Sequence, residues 1–196
     1  LPELPGEFHP ITCRQLAGSL SGIRHYDPKD PKYNTIHYPD AFSSLTRFIN
    51  DPLVFEPGTG YLYSSYGWVL LSAVMESTGG KPFQSLMQEV WNNMGMAETS
   101  FEVWGEAYPG RSVPYIWKKG ERKPAPPDDR SYMYAGGGYL STARDLVRMG
   151  NEMLYGTYLT KAMVKDLTTS LILPDGSKTY YGLGWECGTG RLGTPV

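Results

Sequence analysis

Tyr63 and Ser65 are the residues of this chain whose types and setting could do chemistry. They stand in Phe55-Glu56-Pro57-Gly58-Thr59-Gly60-Tyr61-Leu62-Tyr63-Ser64-Ser65-Tyr66-Gly67, a glycine-punctuated turn that runs into a helix. Pro57-Gly58 is a strong turn pair, and Gly60 permits a second bend. Ser64 is placed as the helix N-cap. Behind it Tyr66, Val69, Leu70, Ala73 and Val74 recur at i, i+3, i+4, i+7 and i+8, one apolar face, and Gly79-Gly80 closes the helix. A tyrosine held at the mouth of such a helix, beside its exposed amides, is placed for proton transfer. Free tyrosine titrates near ~10, so it serves as a base at neutral pH only where cations stabilise the phenolate. The plain alternative is a core tyrosine in the loop leading into a helix.

A second glycine-rich turn, Tyr134-Ala135-Gly136-Gly137-Gly138-Tyr139-Leu140-Ser141-Thr142, leads into another helix. Ser141 or Thr142 caps it, Asp145 completes a capping box, and Leu146, Met149, Met153 and Leu154 form its buried face. The turn lacks the Gly-Lys-Ser/Thr of a phosphate loop. The remaining elements follow from the same signals. Thr12 caps a short helix from Cys13 to Ala17. Residues 27–39 are polar and proline-rich, a surface loop. Phe42, Leu45, Phe48 and Ile49 mark an amphipathic helix stopped by Asn50-Asp51-Pro52. Pro82 opens a helix whose inner face is Phe83, Leu86, Met87, Val90 and Trp91. Residues 113–117 and 121–125 pair as a hairpin around Lys118-Lys119-Gly120. Thr160 caps a further helix with Met163 and Leu167 inward. Tyr181, Leu183, Trp185 and Cys187 alternate with Gly182, Gly184 and Glu186, a strand signal.

Composition narrows the function classes. With 18 basic and 20 acidic residues in 196, the net charge of −2 gives no reason to invoke nucleic acid or an anionic membrane as partner. No apolar run approaches the ~20 residues of a membrane span. His9, His25 and His37 are scattered and read as structural, no metal-ligand spacing occurs, and nothing calls for a cofactor. Cys13 and Cys187 could pair or remain two buried thiols.

Phe55-x-Pro57-Gly58-x-x-Tyr61-x-Tyr63-Ser64-Ser65-x-Gly67-x-x-Leu70-Leu71 resembles the second-motif segment of the serine β-lactamase and penicillin-binding-protein superfamily. It is most similar to class C β-lactamases, their esterase relatives and mitochondrial serine β-lactamase-like proteins. The usual motif is Tyr-x-Asn; here Ser65 replaces the Asn. Ser21-Gly22-Ile23-Arg24-His25-Tyr26 resembles the stretch after the nucleophile helix, where the family's usual His-Thr-Ser-Gly has become Ser19-Leu20-Ser21-Gly22. The Gly137-Gly138-x-x-Ser141-Thr142-x-x-Asp145-Leu146 pattern and Tyr181-Gly182-Leu183-Gly184-Trp185 resemble two later segments in the same order.

The resemblance implies acyl transfer by a serine hydrolase on a small-molecule or peptide ester, amide or β-lactam. Tyr63 would shuttle the proton, Ser65 would stand in for the Asn, and Gly136, Gly137 and Gly138 would line the substrate cleft. It implies no cofactor and a periplasmic, secreted or organellar setting. Two of the family's elements are not found. No serine is followed three residues on by lysine, and Lys178-Thr179-Tyr180 lacks the glycine of the third motif. The expectation is therefore a single, partial domain over residues 1–196, the central part of such an enzyme. Its fold is expected to be α+β and mainly helical, with a few short strands and most of the large antiparallel sheet missing. The surface facing that sheet would then be apolar and open to self-association. The alternative is a catalytically inactive binding or assembly module derived from the fold.

Overall fold

The computed structural model describes residues 4–27, 30 and 34–188. In chain order these form α1 (Cys13–Ala17), α2 (Ala41–Ser44), α3 (Ser65–Gly79), α4 (Phe83–Asn93), β1 (Ser100–Phe101), β2 (Tyr115–Lys118), β3 (Glu121–Pro124), β4 (Tyr139–Leu140), α5 (Ala143–Tyr155) and α6 (Lys161–Leu167). β1 pairs antiparallel with β4, and β2 with β3. The class is α+β, dominated by helix among the described residues.

α3 is the central element. Ser64 Oγ accepts from the amide of Gly67, and Gly80 ends the helix in the left-handed region at φ 63°, where a side chain is disfavoured. Tyr66, Val69, Leu70 and Ala73 are buried as the periodicity requires, and they pack with Phe8, Leu16, Ile23, Leu45 and Phe48 in one core cluster. Tyr66 stacks on Phe48 with ring centroids 4.6 Å apart. Each such apolar side chain removed from water contributes about 1.5–3 kcal/mol. A second cluster of Phe83, Trp91, Met96, Phe101 and Tyr134 joins α4 to the β1–β4 pair.

Glu76 ties three helices together. One oxygen accepts from the Ala41 amide at 3.0 Å and the other from the Phe83 amide at 2.9 Å, so one α3 carboxylate satisfies the first turns of α2 and α4. Pro82, with no side-chain acceptor, is the N-cap rather than the first helical residue.

Other expectations are corrected. The helix through Phe42 and Ile49 is a four-residue α turn followed by a 3-10 turn at Leu45–Arg47, and Phe42 is exposed. The loop of residues 27–39 is not wholly at the surface. Asn34 is buried and bonded to Asp128 and Asp129, because residues 34–38 are stitched onto residues 128–131. Thr142 caps α5, but the Asp145 carboxylate does not close a box. It is fully buried and accepts from the Glu98 amide, Thr99 Oγ1 and Arg148 Nη1. Burial opposes its charge, yet those hydrogen bonds hold the carboxyl below its usual range. With Asp145, Arg148, Met149 and Glu152 turned inward, Leu146 and Leu154 face outward and are exposed. Met163 of α6 is likewise exposed.

The expected strand over residues 179–187 holds a single isolated bridge, Tyr181 to Glu186, and a second bridge, Ile172 to Lys178, precedes it. The chain folds back on itself here: Cys187 N–H donates to Tyr180 O and Gly182 N–H to Trp185 O. Gly184 and Leu183 spend their amides on Ala17 and Leu167. The polar bonds that an extended strand needs are therefore committed to α1 and α6. Cys13 is exposed and Cys187 buried, and both are free thiols.

Candidate active site

The turn before α3 is held by the segment of residues 19–25. Leu20 O accepts from the Gly58 amide at 2.8 Å, Ser19 O from the Leu62 amide at 3.0 Å, and Gly22 O from the Val54 amide at 2.8 Å. These bonds set the path of the chain into Tyr63-Ser64-Ser65. Ser64 is then fixed twice, since its hydroxyl donates to Arg24 O at 2.8 Å while accepting from Gly67. The Ser65 amide donates to Nδ1 of His25 at 3.2 Å.

Arg24 is itself anchored. Its guanidinium donates to Asp30, Asp51, the carbonyl of Arg47 and that of His25. The Tyr66 hydroxyl donates to Asp30 as well, at 3.1 Å. Burial works against the Asp30 charge, but the hydrogen bonds from Arg24, the Asp27 amide and Tyr66, together with the Arg24 charge, keep the carboxyl below its usual range. This partly buried ion network lies beneath the segment whose next residue carries the His25 ring.

Tyr63 is 44% exposed, the setting of a phenol offered to solvent. Its ring is braced edge-on by His25, centroid distance 5.3 Å, and by Tyr181 at 6.1 Å. Tyr181 also meets Tyr61 at 5.8 Å, and burial pushes its hydroxyl up to about 12, so it stays neutral beside Tyr63. Ser65 is buried at 4% exposure. Burial holds the Tyr26 hydroxyl, which donates to Met133 Sδ at 3.9 Å, above its ordinary range.

The three glycines of the second turn separate. Gly136 lies on Ser65: a Cβ added there would stand 3.2 Å from Ser65 Cβ. Gly137 faces Met133, and Gly138 faces Arg130 and Tyr134 while its carbonyl accepts from the Glu102 amide. Gly138 adopts φ +78°, a conformation that disfavours any Cβ. Gly138→Val is accordingly expected to cost roughly 1–3 kcal/mol of stability, read as a lowered urea midpoint at unchanged m-value. An unchanged midpoint would show that the turn tolerates a side chain.

A cavity of about 540 Å³ opens between the β2–β3 hairpin and the loop of residues 102–106. Trp104, Val113 and Pro126 line it, together with the paired Glu102 and Arg111, and neither Tyr63 nor Ser65 does. Among the described residues no group of three or more His, Cys, Asp or Glu is placed to hold a metal ion, and no helix is long and apolar enough to cross a membrane.

A family model described as Beta-lactamase matches residues 1–193. The chain belongs to the beta-lactamase family. It is 39% identical over 120 residues to the mitochondrial serine beta-lactamase-like protein LACTB of Mus musculus, a match covering 61% of this chain and 22% of that protein. In fold it is similar to a penicillin-binding protein from Bacillus halodurans, with TM-score 0.77 and 22% identity, over 99% of this chain and 61% of that one. It is equally similar to a D-stereospecific amidohydrolase from Streptomyces sp., with TM-score 0.79 and 22% identity, over 98% of this chain and 63% of that one. This family member thus spans about a fifth of the mouse protein and less than two thirds of each bacterial chain.

Sequence reasoning singled out Tyr63 and Ser65 and passed over His25 as structural. The signal available was its place in Ile23-Arg24-His25-Tyr26 directly after Ser21-Gly22, within a segment that resembles the family's pattern. The contact with Ser65 is 40 residues distant in sequence and has no local signature.

Proposed function

We propose that this chain is the central part of a serine hydrolase that cleaves an ester, amide or β-lactam of a small molecule or peptide through an acyl-enzyme. The observation that carries the reading is Tyr63, a half-exposed phenol braced at the N-terminus of α3 in a member of the beta-lactamase family. As the serine oxygen attacks the carbonyl carbon, Tyr63, acting as a phenolate sustained by the positive charge of the lysine that accompanies that serine, takes the hydroxyl proton, and it returns that proton to the departing heteroatom. Hydrolysis of the acyl-enzyme runs the same exchange with water in place of the leaving group.

Ser65 takes the place of the usual Asn, and Gly136 packs behind it as part of the cleft wall. Gly137 and Gly138 complete that wall by holding the turn. The acylating serine, the lysine that favours its deprotonation, and the third-motif strand come from sequence outside these 196 residues, as does most of the large sheet. Residues 1–196 are then one partial domain.

Intact mass after exposure to a reactive β-lactam and to an activated ester tests this reading. The 196-residue chain is expected to take no adduct. A longer polypeptide that adds a Ser-x-x-Lys segment before it and the third motif after it is expected to take one adduct per chain, at that serine. A site-specific adduct on the 196-residue chain, or none on the longer one, would overturn the assignment. The second reading, an inactive binding or assembly module, is favoured by one observation: no serine here has a lysine three residues on. It predicts that neither polypeptide is acylated.

The proposal extends to self-association. α5 presents Leu146, Val147, Leu154 and Tyr155 to solvent, four large apolar side chains on one helix. Sedimentation velocity of the isolated chain is expected to show concentration-dependent dimers or larger species, weakened by Leu154→Glu with Val147→Glu. A monomer at every concentration would remove this part.

A further inference from the structure

We propose that His25 is the positioning residue of the Tyr63-Ser64-Ser65 turn: its unprotonated Nδ1 holds the first helical amide of α3 while its ring braces Tyr63. The role for Tyr63 rests on the hydrolase reading above; the role for the Ser65 amide does not.

The first amides of a helix have no partner within it. Ser64 Oγ serves only the Gly67 amide, so the Ser65 amide depends on an acceptor from elsewhere. His25 Nδ1 is that acceptor at 3.2 Å. A backbone N–H can only donate, so Nδ1 must present its lone pair and the ring proton must sit on Nε2. The same ring lies 5.3 Å from Tyr63, near a right angle, and 4.5 Å from Tyr26. One imidazole therefore touches the backbone of Ser65 and the rings of Tyr63 and Tyr26.

A second proton on the ring would set an Nδ1–H against the Ser65 N–H, two donors facing each other at the positive end of α3. The charged and titratable groups near the ring come from two sides. From its own segment come the Arg24 guanidinium, which donates to His25 O, and Tyr26. From the turn and the helix come Tyr63 and the amide end of α3. Asp30 and Asp51 are engaged by Arg24, and Asp27 bonds Asp30 through its amide and carbonyl. Burial lowers the His25 pKa from its ordinary value, and Nδ1 faces the amide end of α3, where a second donor would have no acceptor. The sign is fixed accordingly. The folded state binds this proton less well than the unfolded chain does, so the contribution is complete above the unfolded value near ~6.5 and is lost as pH falls below it, toward the lowered folded value.

The test is a pH titration of the 196-residue chain by NMR. The His25 ring nitrogens are expected to report the Nε2–H tautomer at about pH 8. The Ser65 amide shift should follow the His25 titration, with its apparent midpoint below ~6.5, and hydrogen exchange at Ser65 should quicken about fivefold beyond the intrinsic rate change when the ring is protonated. His25→Asn, whose Oδ1 stands where Nδ1 stood, keeps the Ser65 amide protected and makes it indifferent to pH. His25→Phe, which preserves the ring contacts, leaves that amide unprotected at every pH. In the longer, acylating polypeptide, His25→Asn should flatten the acid limb of the acylation–pH profile. A proton on Nδ1 at that alkaline pH, or a Ser65 amide that ignores the His25 titration, would overturn the proposal, and the wild-type titration alone decides this if the Phe variant does not fold. Loss of the Tyr63 effect on acylation would instead defeat the hydrolase reading and leave the His25–Ser65 bond standing.

Discussion

Tyr63→Phe, made in a polypeptide that carries the acylating serine, is expected to lower the acylation rate by about two to four orders of magnitude, the span of a lost general acid–base. The same change should leave Tm nearly unmoved. The phenol ring stays, so its edge-on contacts with His25 and Tyr181 stay with it. The hydroxyl that is removed belongs to a half-exposed side chain, so no buried donor loses its partner. Single-turnover acylation by an activated ester measures the first quantity, and a thermal melt the second. Tyr181→Phe is the control. Its hydroxyl is neutral up to about 12 and its ring supports Tyr63 from the other side, so the rate should change by less than about tenfold. Near-normal turnover in Tyr63→Phe would end the proton-shuttle role, whatever the control does.

The elements that carry Tyr63 were legible because their signals are local. Ser64, Thr12, Thr142 and Thr160 each cap the helix their position predicts, and each side chain accepts from an amide three residues on. The hairpin turn at Lys119-Gly120 is equally local, both residues lying at positive φ of 53° and 78°. What periodicity did not show was which stripe of α5 faces inward. Leu146 and Leu154 look like core in a hydrophobic pattern, but the partners of Asp145 sit at Glu98 and Thr99, and no pattern within residues 143–155 records them. The alternation of residues 181–187 misled for the same reason. A strand needs backbone partners along its edge, and here Leu167 and Ala17 take the bonds of Leu183 and Gly184. Of the site, Tyr63 and Ser65 were visible through their own motif. Gly136 was visible as a glycine but not as the residue lying on Ser65, and His25 was visible as part of the Ser21-to-Tyr26 stretch but not as the acceptor of the Ser65 amide.

Gly22→Ala is expected to be among the most damaging small substitutions at the described glycines, because two independent costs meet there. The residue sits at φ +76°, and its added Cβ would stand 2.2 Å from the carbonyl oxygen of Phe55. That oxygen is backbone, so it cannot swing aside as a side-chain tip can. Relief requires residues 20–25 and 53–58 to part, which loosens the bonds from Val54 to Gly22 and from Gly58 to Leu20. Strain at positive φ and overpacking together amount to roughly 3–5 kcal/mol, and Tm should fall by on the order of 10 °C. Gly80→Ala separates the two costs. It too has positive φ, +63°, but nothing lies within 4 Å of its added Cβ, so its loss should stay near ~1–2 kcal/mol. If both variants melt alike, the close approach to Phe55 carries no weight, and the pinning of the Tyr63 turn by residues 19–22 would have to be sought in the hydrogen bonds alone. If Gly22→Ala is much the worse, as the geometry requires, the glycine before Ile23-Arg24-His25 is what lets the segment bearing His25 lie against the turn bearing Tyr63. A Gly22→Ala variant that still folds should then also expose the Ser65 amide to exchange, since parting the two segments draws the His25 ring away from it.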